Sequence, residues 1–385
     1  MSLVCVRAEP EHAAAMAQFY RATWDPHAST EAVRASRQRA AVRNLAEPGV
    51  EPPVFLALHD GNPVGYVGTI PVQLWDGEEE RPAYWIKGLT VLPTHRNGPI
   101  GFLLLREATR DLGCTAALVV APEARRLFTA LGYADVGVLT DYLRPLCMES
   151  VLRRLDPEAL GWSRSGRWTA PVLRVGRTWI GEAIGRCLNV ALRSQAVLVR
   201  LRRRLAWRVD EEPPAQVELD ELWRRMQHQL QAAPVRDGRY IRNRYQSRRG
   251  LAQTVGRYLF VSVYRGAGLV GFGVVRRPSK GGDERLRGIN VATLSDLVYA
   301  PEELAVGVAV LGAAERAALD IGADVLLCGT TAPRLARALR RHGYFRIGGR
   351  VHFLLRDVIK PGKVWPANAQ SWWLTRGDSE ADTPF

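Results

Sequence analysis

The sequence has few lysines, few cysteines and no long apolar run, and each shortage excludes a class of protein. Lysine accounts for only 4 of the 53 basic residues, and the 385 residues carry a formal net charge of +14. We attribute the arginine excess to codon composition and expect no nucleic-acid partner, because no DNA- or RNA-binding motif accompanies it. The five cysteines are scattered, odd in number and without metal-ligand spacing. They therefore predict a reducing compartment and no metal site.

The sequence also lacks the segments that carry proteins into or across membranes. Its first residues do not combine a basic stretch with an apolar run, so we expect no signal peptide. No uninterrupted stretch of about 20 apolar residues occurs that could span a bilayer. We therefore expect a cytoplasmic protein, and its length suits two domains that each bury a core.

The most informative stretch is residues 83–133, which predicts a strand, a turn, a helix, a strand and a helix in succession. Residues 84–92 are apolar enough for a buried strand, and the turn after them ends at Gly98. Pro99 suits the first helical position, because its φ is fixed and its missing N–H has no helical partner. Free N–H groups at a helix start, beside an arginine and small residues, are suited to binding a phosphate.

This stretch resembles the GNAT acyltransferase superfamily, in which a helix-start signature R/Q-x-x-G-x-G/A holds the pyrophosphate of acetyl-CoA with backbone amides. Arg96 and Gly101 match the signature, and Pro99 stands where a glycine is usual. The resemblance implies acyl transfer to an amine, with acetyl-CoA as the default co-substrate and no metal. The strand before the turn would supply a backbone N–H for the oxyanion. The implied cofactor-binding residues are Leu89, Thr90, Val91, Arg96, Asn97, Gly98, Pro99, Ile100, Gly101 and Phe102.

Transfer to an amine needs a base for the amine and an acid for the leaving thiolate. In many GNAT proteins a tyrosine before the Gly-aromatic turn is the acid, but this chain has Phe128 there. The candidates for proton transfer are Lys87, Tyr133, Asp141 and Asp296. The competing interpretations are that Tyr133 packs in the core and that Lys87 lies at a strand edge.

The order of predicted elements over residues 1–146 is that of a GNAT fold, with residues 136–143 as its last strand. A first helix runs from Pro10 towards Trp24, and Ser29 or Thr30 caps a second. Residues 60–62 then predict a hairpin turn.

The second half of the chain repeats the first. Residues 121–133 and 332–344 share an Ala-Pro start and a Gly-Tyr end at the same spacing. After the predicted strand 290–298, however, Glu302 and Glu303 stand where phosphates would lie and would repel them. We therefore expect the second copy not to bind CoA.

Together these patterns predict an α/β fold of mixed α+β type. They predict two GNAT-like domains, each with a central, mixed, mostly antiparallel sheet flanked by helices. The expected boundaries are residues 1–146 for the acyl-CoA-binding domain, 147–212 for a basic linker and 213–385 for a degenerate copy. Such a pair resembles double-GNAT proteins, some of them found among bacterial polysaccharide and cell-envelope genes. Residues 236–245 and 372–379 resemble two stretches of that group, with Asn243 in place of a tryptophan. The expected acceptor is an amine, either an amino sugar or another cell-envelope precursor.

Residues 151–208 carry 13 arginines against three acids, with apolar residues between them. One interpretation is an amphipathic segment on an anionic membrane surface, and the other, which we favour, is a domain-joining helix with a solvated face.

Two functional alternatives also stay open. One is an aminoacyl transferase that uses charged transfer RNA, whose phosphates the basic segment would contact. The other is a non-catalytic GNAT-like binding module.

Overall fold

The structure, a computed structural model, shows two compact units that are each built from two separate stretches of chain. Unit 1 comprises Met1–Gly137 and Val351–Ala369, and unit 2 comprises Val138–Arg350 and Gln370–Phe385. Within them the structure describes residues 2–154, 205–245, 257–280, 288–347, 351–358 and 365–379, with positions 183, 187 and 286. Most of the basic segment 151–208 lies outside the described residues, so both interpretations of it stay predictions.

The described chain contains the following strands and helices. The strands are β1 (Leu3–Arg7), β2 (Val54–His59), β3 (Asn62–Trp75), β4 (Glu80–Val91), β5 (Cys114–Ala117), β6 (Ala134–Pro145), β7 (Ala206–Asp210), β8 (Ala233–Pro234), β9 (Tyr258–Arg265), β10 (Gly268–Lys280), β11 (Asn290–Tyr299), β12 (Val325–Thr330), β13 (Phe345–Arg346) and β14 (Val351–Asp357). The helices are α1 (Ala13–Thr23), α2 (Thr30–Val42), α3 (Ile100–Asp111), α4 (Pro122–Ala130), α5 (Met148–Arg154), α6 (Gln216–Gln227), α7 (Gly238–Tyr245), α8 (Leu304–Asp320) and α9 (Pro333–Arg341).

Unit 1 is a sheet in the order β1–β2–β3–β4–β5–β14 with helices on both faces. Neighbouring strands are antiparallel, except that β4 and β5 are parallel. One apolar cluster joins the sheet to α3 through Ile100 and Leu104, and another joins it to α1 through Met16 and Phe19. The predicted mixed, mostly antiparallel sheet flanked by helices is confirmed.

Local signals in the sequence account for several boundaries in unit 1. The hydroxyl of Ser29 accepts a hydrogen bond from the N–H of Ala32 at 3.1 Å and caps α2, as predicted. The predicted hairpin joins β2 to β3, where Asp60 and Gly61 both have positive φ. Helix α3 begins at Ile100 and not at Pro99, which is its N-cap residue.

Unit 2 has the strand order β6–β12–β11–β10–β9–β7, with β11 and β12 as its parallel pair. Helix α8 packs closely on β10, where a Cβ built on Gly271 would lie only 2.6 Å from the side chain of Val306. This close approach explains a glycine inside a strand. Each unit therefore contains a parallel pair whose second strand has an antiparallel neighbour: β4 and β5 with β14 in unit 1, and β11 and β12 with β6 in unit 2.

The last strand of each sheet comes from the other half of the sequence. In unit 1, β14 pairs with β5, from Leu354 opposite Ala117 to Asp357 opposite Cys114. In unit 2, β6 pairs with β12 over residues 140–145. Residues 136–143 thus form a strand, as predicted. The expected sheet was wrong, because this strand pairs with β12 in unit 2 and not within the sheet of unit 1. The compact units accordingly depart from the expected boundaries at residues 146 and 213, because sequence neighbours usually pair and here they do not.

Within the described residues, no helix combines the length and the apolar character needed to cross a membrane.

Candidate functional site

Strand β4 carries a bulge in the middle of unit 1. Tyr66 of β3 lies opposite Thr90, whereas Gly68 lies opposite Lys87, so β4 has one residue more than β3 between these pairs. Gly88 lies in this bulge with a φ of +61°, which favours glycine. A bulge bends its strand and leaves one residue outside the regular ladder. The backbone of β4 therefore turns away from its neighbours at this point.

The bulge lies where β4 and β5 separate. The two strands pair only at Tyr84 with Thr115 and at Trp85 with Ala116, before the bulge. Strand β4 then continues to Val91, whereas β5 ends at Ala117. The predicted residues Leu89, Thr90 and Val91 thus lie on a part of β4 that has no pairing with β5, and an extended ligand can reach their backbone groups.

The open part of β4 leads into the start of α3. A short 3₁₀ turn at Pro93–His95 is followed by exposed residues and then by the helix. In the described chain, no acceptor forms a hydrogen bond with the N–H groups of Ile100, Gly101 or Phe102. Free N–H groups at the positive end of a helix, here one of 12 residues, can bind an anion.

The turn itself contributes less than a glycine-rich one would. Pro99 has no N–H, and the N–H of Gly98 donates to the carbonyl oxygen of His95 at 3.3 Å. Asn97 is exposed beside them. The Nε of Arg96 donates to the carbonyl oxygen of Val91 at 3.2 Å, which ties this exposed side chain to the end of β4. An anion at this helix start would therefore depend on the helix amides and on Arg96.

Sequence reasoning missed a group of aromatic rings beside the bulge. Tyr20 and Trp24 lie four residues apart at the end of α1, and Tyr66 comes from β3. A Cβ built on Gly88 would lie 3.5 Å from the ring of Tyr66 and 3.9 Å from that of Trp24. The helical spacing of Tyr20 and Trp24 is visible in the sequence, but nothing local points to Tyr66 or to the bulge.

Lys87 lies one residue before the bulge and is half-buried. It is opposite Gly68 across the strand pair. A Cβ on Gly68 would lie 2.5 Å from the hydroxyl of Tyr66, so Tyr66 reaches over Gly68. Directly opposite residues of an antiparallel pair share one face of the sheet. Lys87 is therefore on the same face as Tyr66, and its catalytic role stays a prediction.

Tyr133 is a core residue and not a proton donor in the opening. Its side chain is 4 % exposed, and its hydroxyl is 2.7 Å from the hydroxyl of Thr115. Burial raises the pKa of Tyr133, although the hydrogen bond with Thr115 opposes the shift. The ring of Phe128 packs edge-on against it at 4.8 Å between centroids. The structure thus supports the packing interpretation, because Tyr133 has no access to a ligand.

A Tyr133→Phe variant separates these interpretations. We expect the rate of the acyl transfer that the resemblance implies to be unchanged, and the unfolding free energy to fall by about 1 kcal/mol, the net value of one buried hydrogen bond. Urea unfolding and steady-state kinetics measure the two quantities. A loss of kcat greater than about 100-fold in the folded variant, typical of a missing general acid, would restore the catalytic assignment.

Asp141 and Asp296 are buried ion-pair residues of unit 2, which corrects their assignment as bases. The carboxylate of Asp141 accepts hydrogen bonds from Nε and Nη2 of Arg376 at 2.9 and 2.6 Å. Asp296 accepts from Arg236 at 2.7 Å and from the hydroxyl of Tyr245 at 2.5 Å. Each aspartate is fully buried. A general base must reach the proton that it removes, and these carboxylates do not reach solvent.

The two stretches at 236–245 and 372–379 meet at Asp296. Arg236 also donates to Asp378 at 2.8 Å, and the hydroxyl of Thr375 donates to Asp296 at 2.9 Å. Arg244 donates to the carbonyl oxygen of Gly377 at 3.0 Å. The two stretches therefore form a buried polar network with Asp296, and this network holds residues 372–379 in unit 2.

This tail occupies the place in unit 2 that is open in unit 1. Strands β11 and β12 pair up to Leu294 and Cys328 and then separate. Beyond that point, the N–H of Gly377 donates to the carbonyl oxygen of Ser295 at 2.5 Å. On the other side, Thr375 forms an antiparallel bridge with Thr330 at the end of β12. The opening between the parallel strands of unit 2 is thus filled by its own chain.

The described residues contain no group of three or more His, Cys, Asp or Glu side chains placed to hold a metal ion.

Comparison with known proteins identifies a family for part of the chain. The model of the acetyltransferase (GNAT) family matches residues 13–133, which contain β4, the bulge and the start of α3. No curated protein matches the sequence.

Solved structures share the fold at low sequence identity. A GCN5-related N-acetyltransferase from Anabaena variabilis has a TM-score of 0.55 and 10 % identity, over 93 % of this chain and 73 % of that one. N-myristoyltransferase from Saccharomyces cerevisiae, solved with myristoyl-CoA, has a TM-score of 0.53 and 13 % identity, over 96 % and 83 %. A probable N-acyltransferase from Enterococcus faecalis has a TM-score of 0.53 and 10 % identity, over 93 % and 72 %. These likenesses show a common fold.

Proposed function

We propose that unit 1 binds acetyl-CoA and transfers its acyl group to a small amine, since residues 13–133 match the model of the acetyltransferase (GNAT) family. One observation carries the proposal: the bulged, unpaired part of β4 leads directly to three free N–H groups at the start of α3. An extended thioester can lie along the strand while its phosphates meet the helix. The finer proposal for the acceptor is an amino sugar or another cell-envelope amine.

The phosphate end of the co-substrate is assigned to the first turn of α3. The amides of Ile100, Gly101 and Phe102 carry the positive end of the helix dipole, and Arg96 adds a full charge beside them. Pro99 reduces the number of donors by one. We therefore assign the binding of the pyrophosphate to these three amides and Arg96.

The acyl end is assigned to the bulge. When bound, acetyl-CoA supplies an activated thioester whose carbonyl carbon the amine attacks. A backbone N–H of Leu89, Thr90 or Val91 would stabilise the oxyanion that develops there. Phe128 is buried and cannot protonate the leaving thiolate. Because Gly88 and Val119 at the opening are exposed, water can exchange protons with both the amine and the thiolate.

Unit 2 is proposed as a degenerate copy that binds no CoA. Its tail occupies the opening between β11 and β12. Glu303 also stands at the start of α8, where it forms an ion pair with Arg265 at 3.0 Å. A phosphate at this helix start would therefore be repelled by a carboxylate.

Calorimetric titration with acetyl-CoA tests the proposal. We expect one site per chain and a micromolar dissociation constant, equivalent to about −8 kcal/mol. CoA without the acyl group is the control for the contribution of the acyl end. Absence of binding to the folded protein would overturn the proposal, and two sites per chain would overturn the role given to unit 2. Binding of transfer RNA without acetyl-CoA binding would instead support the aminoacyl-transferase alternative.

A further inference from the structure

We infer that the rings of Tyr20, Trp24 and Tyr66 form an acceptor subsite for an amine carried on a ring, whose flat face stacks on Trp24. We call these three side chains the aromatic surface. The inference rests on the proposed function, since it names the class of amine that receives the acyl group in unit 1.

The three rings contact one another. The centroids of Trp24 and Tyr66 are 5.1 Å apart with planes at 85°, and those of Tyr20 and Trp24 are 5.3 Å apart. The hydroxyls of Tyr20 and Tyr66 are 3.4 Å apart. Close packing of aromatic rings in tilted and edge-to-face arrangements favours one orientation for each ring. The aromatic surface is therefore in place before any ligand binds.

The aromatic surface lies next to the proposed reacting carbon. A Cβ added to Gly88 would contact both Tyr66 and Trp24, at 3.5 and 3.9 Å. Gly88 is the residue of β4 at which the ladder is interrupted, and the amides assigned to the oxyanion follow it directly. The α1 side of the sheet carries the aromatic surface, whereas α3 lies on the other side. An acceptor on this surface therefore approaches the thioester from the face opposite α3.

The shape of the aromatic surface favours a ring over a flexible chain. Trp24 is 50 % exposed, whereas Tyr66 is 6 % and Phe19 behind it 0 % exposed. Phe19 lies 5.6 Å from Trp24 and 5.9 Å from Tyr66 between centroids, so it fills the space behind the two rings. Because Tyr66 and Phe19 are buried, a ligand meets mainly the half-exposed indole of Trp24. The flat face of a ring can lie on the exposed part of Trp24.

The polar groups of the aromatic surface are neutral. Burial is the main influence on Tyr20 and raises the pKa of its hydroxyl, so this group stays protonated at neutral pH. The charge of Arg37, which acts on Tyr20, is offset by an ion pair with Glu51. The aromatic surface thus offers apolar ring faces and hydroxyls, which suit a hydroxylated or aromatic ring better than an open-chain polyamine.

Acceptor kinetics with acetyl-CoA test the inference. The probes are glucosamine and tyramine as ring amines, and n-hexylamine and 1,4-diaminobutane as chain amines, with release of the CoA thiol as the readout. Each amine is compared between wild type and Trp24→Leu, so that differences in amine basicity cancel. We expect Trp24→Leu to lower kcat/KM for a ring amine at least 10-fold, mainly through KM. For chain amines we expect a change of less than 2-fold.

Trp24→Phe is the matched control, because it keeps a ring at the half-exposed position and should restore most of the ring preference. If Trp24→Leu lowers kcat/KM for glucosamine alone, the acceptor ring is a pyranose. If it lowers kcat/KM for tyramine alone, the acceptor ring is aromatic. Equal effects on ring and chain amines, or no turnover of either ring amine, would overturn the inference. Calorimetry measures acetyl-CoA binding by the same preparations, which we expect to be unchanged. If acetyl-CoA still binds, only the acceptor inference has failed. If it does not bind, the proposed function has failed as well.

Discussion

The Gly101→Glu variant is expected to bind acetyl-CoA at least about 100-fold more weakly than the wild type, a loss of about 2.7 kcal/mol. Gly101 lies in the first turn of α3, and a Cβ added there would be 3.6 Å from the side chain of Leu127 and 4.0 Å from that of Val91. A longer side chain therefore starts between the end of β4 and α4 and extends into the opening. Its carboxylate would both occupy the anion site and repel phosphates.

Two further variants separate the causes of this loss. Gly101→Ala adds only ordinary van der Waals contacts, so we expect it to bind nearly as the wild type does. Gly101→Gln has the bulk of glutamate without its charge. The difference in acetyl-CoA affinity between Gly101→Gln and Gly101→Glu therefore gives the electrostatic part of the loss. Calorimetry measures the affinities, and thermal unfolding by circular dichroism verifies folding. Wild-type affinity in folded Gly101→Glu would falsify the assignment of the anion site.

Arg236→Met is expected to lower the free energy of unfolding by about 3–5 kcal/mol at pH 7, which is typical of removing one partner from a buried ion pair. Arg236 is fully buried and donates to Asp296 at 2.7 Å and to Asp378 at 2.8 Å. Its removal leaves two carboxylates side by side without a counter-charge. Urea unfolding measures the loss. Arg316→Met is the control, because Arg316 forms an exposed ion pair within α8 and should cost less than about 0.5 kcal/mol.

The cost of Arg236→Met should also depend on pH. Burial raises the pKa of Asp378 to about 6, while Arg236 opposes this shift and Asp296 adds to it. A carboxyl with a higher pKa in the folded than in the unfolded protein takes up protons on folding, so stability increases as pH falls through about 6. Without Arg236 the pKa of Asp378 rises further. The destabilisation should therefore be smaller at pH 5 than at pH 7, and a loss equal at both would contradict this account.

The sequence predicts the parts of unit 1 that depend on local patterns. The Ser29 cap, the hairpin at residues 60–62 and the helix after Gly98 are encoded within a few residues, and the structure has all three. The sequence predicts the start of α3 at Pro99, whereas the helix begins one residue later, at Ile100. Local chemistry therefore sufficed to place the proposed anion site.

The roles of the two aspartates required information that no local pattern contains. Asp296 and its partner Arg236 are 60 residues apart, and Asp141 and Arg376 are 235 apart. An aspartate on an apolar strand has the same sequence pattern whether it lines a cleft or pairs with a distant arginine. The contact of Tyr66 with Gly88 depends likewise on a bulge that only the strand register shows.

The origin of the final strand in each sheet also constrains how the protein is made and how its gene can be divided. The edge of β5 is covered by β14, which is encoded more than 200 residues later. During synthesis, the first sheet therefore stays incomplete until Asp357 has left the ribosome, and non-local pairing of this kind slows folding. A gene fragment that ends after residue 146 would encode β6 without β12 and leave β5 with an uncovered edge. No single cut in the gene yields two halves that each contain a complete sheet.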